Sequence, residues 1–234
     1  MKDKAGILHR DVSVNNIMWD LRDGKPFFIL NNFDLVSAGS KSSHSSKHRT
    51  GTLPFMSTDL LDDLAESYQR RNANNLAVPD KKETTRFKIP VIHRLRNDFE
   101  SLLWVALWCG MAMEPVEVAA EKSVQQELLT WEVGTFRNVA DHKNGLVTKA
   151  NVHIKGLPFT PKYAHFADWY LRWIQVFQSG VVQLERFRNY LDRVEDPVEE
   201  MKYLDLEYLR GTVTKEKIKA ALADSVQLRR EDVI

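Results

Sequence analysis

The sequence predicts an α+β fold that is mostly α-helical, with strands confined to a small hairpin. Two short apolar runs, residues 17–19 and 27–30, flank the turn-forming pair Asp23-Gly24, a pattern typical of a β-hairpin. After its opening turn, segment 98–108 is apolar on nearly every side, which predicts a central helix buried all round. Most of the remaining chain carries apolar residues at helical spacing between polar turns.

The composition excludes several classes of protein. A net charge of +1 over 234 residues, with 43% hydrophobic and 28% charged residues, gives no general attraction to nucleic acid or to an anionic membrane. The single cysteine, Cys109, excludes an internal disulfide framework and suits a reducing compartment. No apolar leader follows Met1, and the densest apolar run, residues 105–113, is too short to span a bilayer. We therefore expect an intracellular protein, cytoplasmic or nuclear, that binds neither nucleic acid nor membranes.

The most informative stretch of the sequence is His9-Arg10-Asp11, which is followed after four residues by Asn16. This pattern resembles the catalytic loop of protein kinases. At this spacing one loop can turn back and direct both polar side chains into a single cleft. There the Asp11 carboxylate could accept the proton of an attacking hydroxyl, and the Asn16 amide oxygen could hold Mg²⁺. The alternative is a chance match in a surface loop, which four fixed residues make rare.

The expected metal site departs from the kinase pattern. Asn31-Asn32-Phe33-Asp34 follows the hairpin at the place where kinases have Asp-Phe-Gly, so Asn32 replaces the aspartate that binds Mg²⁺. Asparagine keeps an oxygen ligand but lacks the negative charge that a hard divalent cation favours. The sequence therefore predicts a weakened or lost metal site. Two alternatives stay open: Asn32 only caps a turn, or Asp34 serves as the ligand after Phe33 turns.

Further motifs lie downstream in the order that kinases have them. Residues 37–49 are polar and rich in serine, histidine and lysine, which predicts a mobile loop. Gly51-Thr52 and then Asp59 resemble the end of a kinase activation segment. Asp98 opens the predicted central helix, where kinases use an aspartate to brace the backbone of the catalytic loop. A plain helix cap is the alternative for Asp98, and the two roles are compatible.

The whole chain, 1–234, is interpreted as one domain with four parts. These are the catalytic loop and activation segment (7–61), a largely solvated insertion (62–92) with one helical stretch (62–71), the buried central helix (98–113) and a helical remainder (116–234). Within the remainder we expect helices at 116–133, 162–177, 184–194 and 214–228. Segment 139–160 is expected to be irregular, because Asn144-Gly145, Lys155-Gly156 and Pro158 act as breakers.

Together these motifs resemble the fungal-type protein kinase family over residues 6–113. Members of that family share His-Arg-Asp-Ile/Val-Ser, then Asn-Ile, then Asp-Phe/Trp-Asp-Leu, and a long insertion before an Asp-Leu-Glu-Ser helix. By position, the resemblance implies that Asp11 is the catalytic base and that Asn16 and Asn32 are the metal positions, with Asp34 as the alternative ligand. It also implies cofactor binding at Met18, as part of the adenine floor, and at Ser13. Ser13 stands where most Ser/Thr kinases have a phosphate-binding lysine. The resemblance also implies structural support: Thr52 would hydrogen-bond near Asp11, and His9 would stack with Phe33 within the hydrophobic spine. Arg10, Asp59 and Asp98 are the other support residues.

The resemblance implies a protein kinase-like C-terminal lobe with the hairpin at its catalytic loop. Nothing before Lys4 could form the N-terminal lobe that cradles ATP, so we expect that lobe to be absent from this chain and its binding of ATP and Mg²⁺ to be weak. The implied function is that of a protein serine/threonine kinase, and we expect this chain to be inactive when isolated. A pseudokinase, which binds partners without catalysis, is the first alternative. A small-molecule phosphotransferase is the second, disfavoured by His9-Arg10 and Gly51-Thr52. The sequence identifies neither the protein substrate nor a docking partner.

Overall fold

The computed structural model describes residues 7–34, 37–38, 51–74, 87–113 and 122–223. These residues form a mostly helical structure with two small antiparallel sheets, which confirms the predicted α+β class. The strands are β1 (Ile7–Leu8), β2 (Ile17–Arg22), β3 (Lys25–Leu30) and β4 (Ser37–Ala38). The helices are α1 (Thr58–Asn74), α2 (Leu95–Ala112), α3 (Lys122–Glu132), α4 (Phe136–Thr148), α5 (Ala150–His153), α6 (Ala167–Leu191), α7 (Pro197–Met201) and α8 (Lys215–Ala223).

The predicted hairpin is present as β2 and β3, which pair antiparallel from Ile17–Leu30 to Arg22–Lys25. Its turn residues, Asp23 and Gly24, have φ angles of +52° and +70°. Two successive positive φ angles are what a two-residue hairpin turn of the favoured hand requires, and Asp-Gly tolerates them. The hairpin projects from the domain, and the other sheet joins β1 to β4 immediately beside the His-Arg-Asp motif.

The central helix α2 is longer than predicted and is not buried all round. Leu103, Trp104 and Leu107 are fully buried in the main hydrophobic core, whereas Leu102 on the opposite face is 39% exposed. The helix begins at Leu95, and the side-chain oxygen of Asn97 accepts a hydrogen bond from the Arg94 N–H at 2.7 Å. Asp98 therefore lies inside the first turn rather than at the cap, and its carboxylate is free to serve another segment.

The prediction of an irregular segment at 139–160 is wrong. Helix α4 runs straight through Asn144-Gly145, and α5 and a 3₁₀ turn follow it. Val139, Leu146 and Val147 of α4 are buried, and burying such side chains outweighs the cost of about 1 kcal/mol for one glycine in a helix. The two helices predicted at 162–177 and 184–194 form one helix, α6.

The predicted solvated insertion begins inside a packed helix. The helix expected at 62–71 starts earlier, at Thr58, and its residues Leu61 and Ala65 are buried. α1 packs against α4, so the boundary placed at residue 62 divides one helix. Other predicted features fall wholly or partly outside the described residues: most of the loop 37–49, the insertion over 75–86, the first part of 116–133 and the end of 214–228. Across the described ranges, no helix has the length and apolar content needed to cross a membrane.

Two buried side chains fasten the segment before α1 to the core. The ammonium of Lys143, on α4, is fully buried, donates to the Met56 carbonyl at 2.7 Å and lies over the ring of Trp104. Glu100, on α2, accepts hydrogen bonds from the Thr58 N–H at 2.8 Å and from the indole N–H of Trp104 at 3.1 Å. Burial raises the pKa of Glu100 to about 7 and lowers the pKa of Lys143. This Lys143–Glu100 clamp positions residues 56–58.

Two glycines in helices provide a matched test of the packing. A Cβ on Gly180 would lie 2.6 Å from Cγ2 of Val213, whereas a Cβ on Gly145 would meet nothing within 4 Å. We expect Gly145→Ala to stabilise the protein by about 0.5–1 kcal/mol, because alanine favours the helix. Gly180→Ala should destabilise it by about 1–3 kcal/mol through overpacking. Urea unfolding of both variants measures the difference, and equal stabilisation would contradict the close approach at Gly180.

The buried carboxyl of Glu100 should make stability depend on pH. Its pKa is about 7 in the folded protein against 4.5 in a free chain, so the folded state binds more protons between these values. The contribution of the protonated Glu100 carboxyl to the free energy of unfolding is fully present below about pH 4.5 and is lost as the pH rises through 7. Glu100→Gln keeps the acceptor oxygen but cannot ionise. Relative to this variant, the wild type should lose about 2–3 kcal/mol between pH 4.5 and 7.5 in urea unfolding. Parallel profiles for the two proteins would refute this.

Candidate functional site

The carboxylate of Asp11 is held from two sides. The backbone N–H and the hydroxyl of Thr52 donate to Oδ1 at 2.9 and 3.0 Å, and the Asn16 side-chain amide donates to Oδ2 at 3.1 Å. The same Asn16 amide also donates to the Asp11 carbonyl at 2.9 Å, which closes the loop. A carboxylate has about four lone-pair positions. Among the described contacts three are occupied, so Oδ2 keeps one position for an incoming proton donor.

The backbone of the His-Arg-Asp motif rests on Asp98. Its Oδ2 accepts the His9 N–H at 2.9 Å and its Oδ1 accepts the Arg10 N–H at 3.0 Å. Arg10 has a φ of +72°, a conformation that a non-glycine residue adopts only when its surroundings enforce it. Nε2 of His93 lies 2.7 Å from Oδ1 and fixes the carboxylate in turn. The bracing contact expected of Asp98 is thus present.

His9 connects the catalytic loop to the segment that carries Asn32. Its Nε2 donates to the Asn31 carbonyl at 2.9 Å, while its Nδ1 accepts the Asp11 N–H at 3.4 Å. These two bonds require the tautomer with its proton on Nε2. The ring of Phe33 meets His9 edge-on, with centroids 5.2 Å apart, although Phe33 remains 50% exposed. The His9–Phe33 contact expected from the resemblance therefore occurs at the surface.

The two expected metal positions, Asn16 and Asn32, lie side by side. Asn32 has a φ of +60°, which asparagine tolerates well, and its side-chain amide donates to Oδ1 of Asn16 at 3.3 Å. The oxygen that would face a cation is therefore bonded to an amide. Asp34 is exposed on the loop beyond them. Within the described ranges, no cluster of three or more acidic, histidine or cysteine side chains could hold a metal ion. These residues do not fit a tightly bound divalent cation.

The two residues assigned to cofactor binding lie in different surroundings. Met18, on β2, is half-exposed, and its sulfur accepts a hydrogen bond from the Asn31 side chain at 3.4 Å. Ser13 is almost completely buried, and its hydroxyl has no hydrogen-bond partner in the described part of the chain. Met18 is therefore accessible to a ligand on the hairpin, whereas Ser13 lies inside the loop.

Asp59 anchors the end of the activation-like segment. Its Oδ2 accepts the guanidinium of Arg96 at 2.6 Å, and its Oδ1 accepts Asn97 at 2.7 Å and Ser57 at 2.9 Å. Burial would raise the pKa of Asp59, but the Arg96 ion pair and these hydrogen bonds hold it below its usual value. The remaining support residue, Arg10, has a buried Nε without a partner among the described residues.

Several residues of this site were not predicted from the sequence. His93 supports Asp98, Arg96 and Asn97 hold Asp59, and Lys143 holds the Met56 carbonyl. Arg96 and Asn97 directly precede Asp98, so their nearness to a recognised motif was an available signal. No such signal marked Lys143, because it lies 87 residues after Met56 in the sequence.

The first part of the chain is similar to a known protein family. Residues 1–110 match the sequence model of the family described as fungal protein kinase. No curated protein matches the chain, and no solved structure matches it. The matched residues include the Asp11 loop, the hairpin, Asp59 and most of α2, which are the parts that carry the motifs. Residues 1–110 are therefore similar to the fungal protein kinase family, the family that the sequence motifs resemble.

Proposed function

We propose that this chain is a protein kinase-like C-terminal lobe that serves phosphoryl transfer from ATP to serine or threonine hydroxyls of a protein. The observation that carries the proposal is the Asp11 carboxylate, which Thr52 and Asn16 orient. Asp98 braces the backbone of the two residues that precede it. The family match over residues 1–110 supports the same conclusion. This carboxylate accepts three hydrogen bonds from the protein, two from Thr52 and one from Asn16, whereas water alone would satisfy an aspartate in a solvated loop.

In this proposal Asp11 accepts the proton of the attacking hydroxyl at Oδ2, the oxygen with an unused lone-pair position. Thr52 occupies Oδ1 twice and so fixes the plane of the carboxylate. A general base needs this kind of geometry before its pKa matters, because a proton moves only over hydrogen-bond distance. The Asn16 side-chain amide donates a hydrogen bond of 3.1 Å to Oδ2 of Asp11 and so fixes the orientation of this oxygen.

The second candidate is a pseudokinase, and the contact between Asn32 and Asn16 favours it. The Asn32 side-chain amide donates to the Asn16 oxygen at 3.3 Å and so occupies this oxygen without a cation. Replacing a carboxylate by an amide removes the charge that attracts Mg²⁺, and without the ion the developing charge on the phosphates is not neutralised. In this case the chain keeps the kinase architecture as a binding surface for another protein.

Asn32→Asp tests the metal site directly. We expect the variant to bind Mn²⁺, used as a paramagnetic probe for Mg²⁺, at least about tenfold more tightly than the wild type, because a carboxylate replaces an amide. Electron paramagnetic resonance of free Mn²⁺ measures the affinity. Asn31→Asp is the matched control: it makes the same charge change one residue earlier and should leave the affinity within about twofold. If Asn32→Asp is silent while Asp34→Asn removes binding, Asp34 is the ligand and the weakened-site hypothesis is wrong.

Phosphoryl transfer separates the two candidate functions. In a fusion that adds the N-terminal lobe of a fungal protein kinase, with ATP and excess Mg²⁺, Asn32→Asp should raise transfer of the γ-phosphate to a generic serine-rich protein by about 10²-fold or more, a typical contribution of charge stabilisation. Adding Asp11→Asn should abolish the gain, because both groups act on one transition state. If Asn32→Asp gains metal affinity but no transfer, the pseudokinase function is favoured and the role proposed for Asp11 fails.

A further inference from the structure

One face of the β2–β3 hairpin carries no charged side chain. In an antiparallel pair, residues directly opposite each other share a face, and so do residues two apart along one strand. The observed register therefore places on this face the pairs Ile17–Leu30, Trp19–Phe28 and Leu21–Pro26. We call these six residues the apolar hairpin face.

Only the base of the apolar hairpin face is covered. Ile17 and Leu30, where the hairpin joins the domain, pack against the main hydrophobic core. Farther along the strands, Trp19 is 66% exposed, Phe28 67% and Leu21 60%. Large apolar side chains scattered singly over a surface need no explanation, but neighbouring ones on a single face mark an interaction surface.

The opposite face of the hairpin is suited to water at its outer end. Its residues are the pairs Met18–Ile29, Asp20–Phe27 and Arg22–Lys25. The Arg22 guanidinium lies 3.8 Å from the centre of the Phe27 ring and shields it. In the described part of the chain the hairpin pairs with no third strand. Because a two-stranded hairpin is marginally stable unless one face is packed, covering the apolar hairpin face would stabilise its outer half.

The size of the apolar hairpin face and the charges around it fit a second copy of this chain. Its outer residues expose roughly 500 Å², so two such faces would bury about 1,000 Å² together, the lower limit for a specific interface. A two-fold interface requires a patch that complements itself, as a face without charged groups does. The charges at the outer end of the hairpin balance, which avoids the repulsion that a rim of one sign would cause between copies. They are Asp20, Arg22, Asp23 and Lys25.

We propose that two copies of this chain associate through the apolar hairpin face, with Trp19 and Phe28 of one copy packed against the same two residues of the other. Aromatic side chains suit the centre of such an interface because they bury a large area with few rotatable bonds. The small area predicts a dimer of micromolar affinity rather than an obligate one. This proposal does not depend on catalysis by Asp11.

Sedimentation equilibrium of the full chain tests the proposal. Between about 1 and 200 µM, a range that spans the expected affinity, the average mass should rise from that of one chain to that of two and stop there. A single chain at every concentration would leave the face to a different protein, and the proposal would be wrong. Growth beyond two chains would equally contradict a closed two-fold dimer.

Phe28→Ser localises the contact. It should weaken the dimer at least about tenfold, because the substitution removes apolar area from both copies at once. Phe27→Ser is the matched control: it makes the same change in the neighbouring residue, on the opposite face of the same strand, and should alter the affinity less than about threefold. Trp19→Ser, directly across the hairpin from Phe28, should weaken the dimer as Phe28→Ser does.

All three substituted side chains are exposed, so the variants should fold, and circular dichroism checks this. Equal dimer affinities for Phe28→Ser and Phe27→Ser would place the contact elsewhere and overturn the inference.

Discussion

The Asp98 carboxylate joins the central helix to the catalytic loop, and the geometry of the site depends on this joint. Its two oxygens accept the N–H groups of two successive loop residues, so the loop cannot rotate without losing both bonds. This constraint holds Arg10 at a positive φ, which reverses the chain and directs the next residue, Asp11, toward Thr52. His93 and the first turn of α2 hold the carboxylate itself. A loop of otherwise weak local preference is thereby fixed to the most buried helix of the domain.

Features that depend on neighbouring residues in the chain could be predicted from the sequence, whereas features that depend on tertiary packing could not. The hairpin follows from two apolar runs and an Asp-Gly turn, and its turn residues have the positive φ angles that this pair permits. The contact of Thr52 with Asp11 was implied by the family resemblance and not by the spacing of the two residues. Helix α4 could not be predicted, because Asn144-Gly145 favours a turn locally and only packing against α1 outweighs that preference. Helix α6 was predicted as two helices. Gly180, between them, lies inside the helix and packs closely against Val213.

The residues of the site could be predicted from the sequence, but their hydrogen bonds and their burial could not. The sequence shows that Asn32 stands where a metal-binding aspartate is expected. It does not show that Asn32 faces Asn16 and bonds to its oxygen, because that depends on a left-handed backbone at Asn32. Nor does it show that Ser13 is buried, since the residue is polar and lies in a loop. Burial of polar groups is decided by the tertiary structure around them.

Among the described residues three basic side chains are buried, Lys143, Arg94 and Arg96, and their charges are compensated in different ways. Lys143 is fully enclosed, yet a carbonyl oxygen, two tryptophan rings and the nearby charge of Glu100 stabilise its ammonium. Arg94 donates to one carbonyl and has a like-charged neighbour in Arg96, whereas the charges of Asp59 and Glu207 act favourably on it. The free energy of burying a charge must be recovered by contacts of opposite polarity. For Lys143 those contacts are internal, and the clamp serves the fold. For Arg94 and Arg96 they come from carboxylates, chiefly Asp59, so the residue that anchors the end of the activation-like segment also offsets the burial of the two arginines that open the central helix.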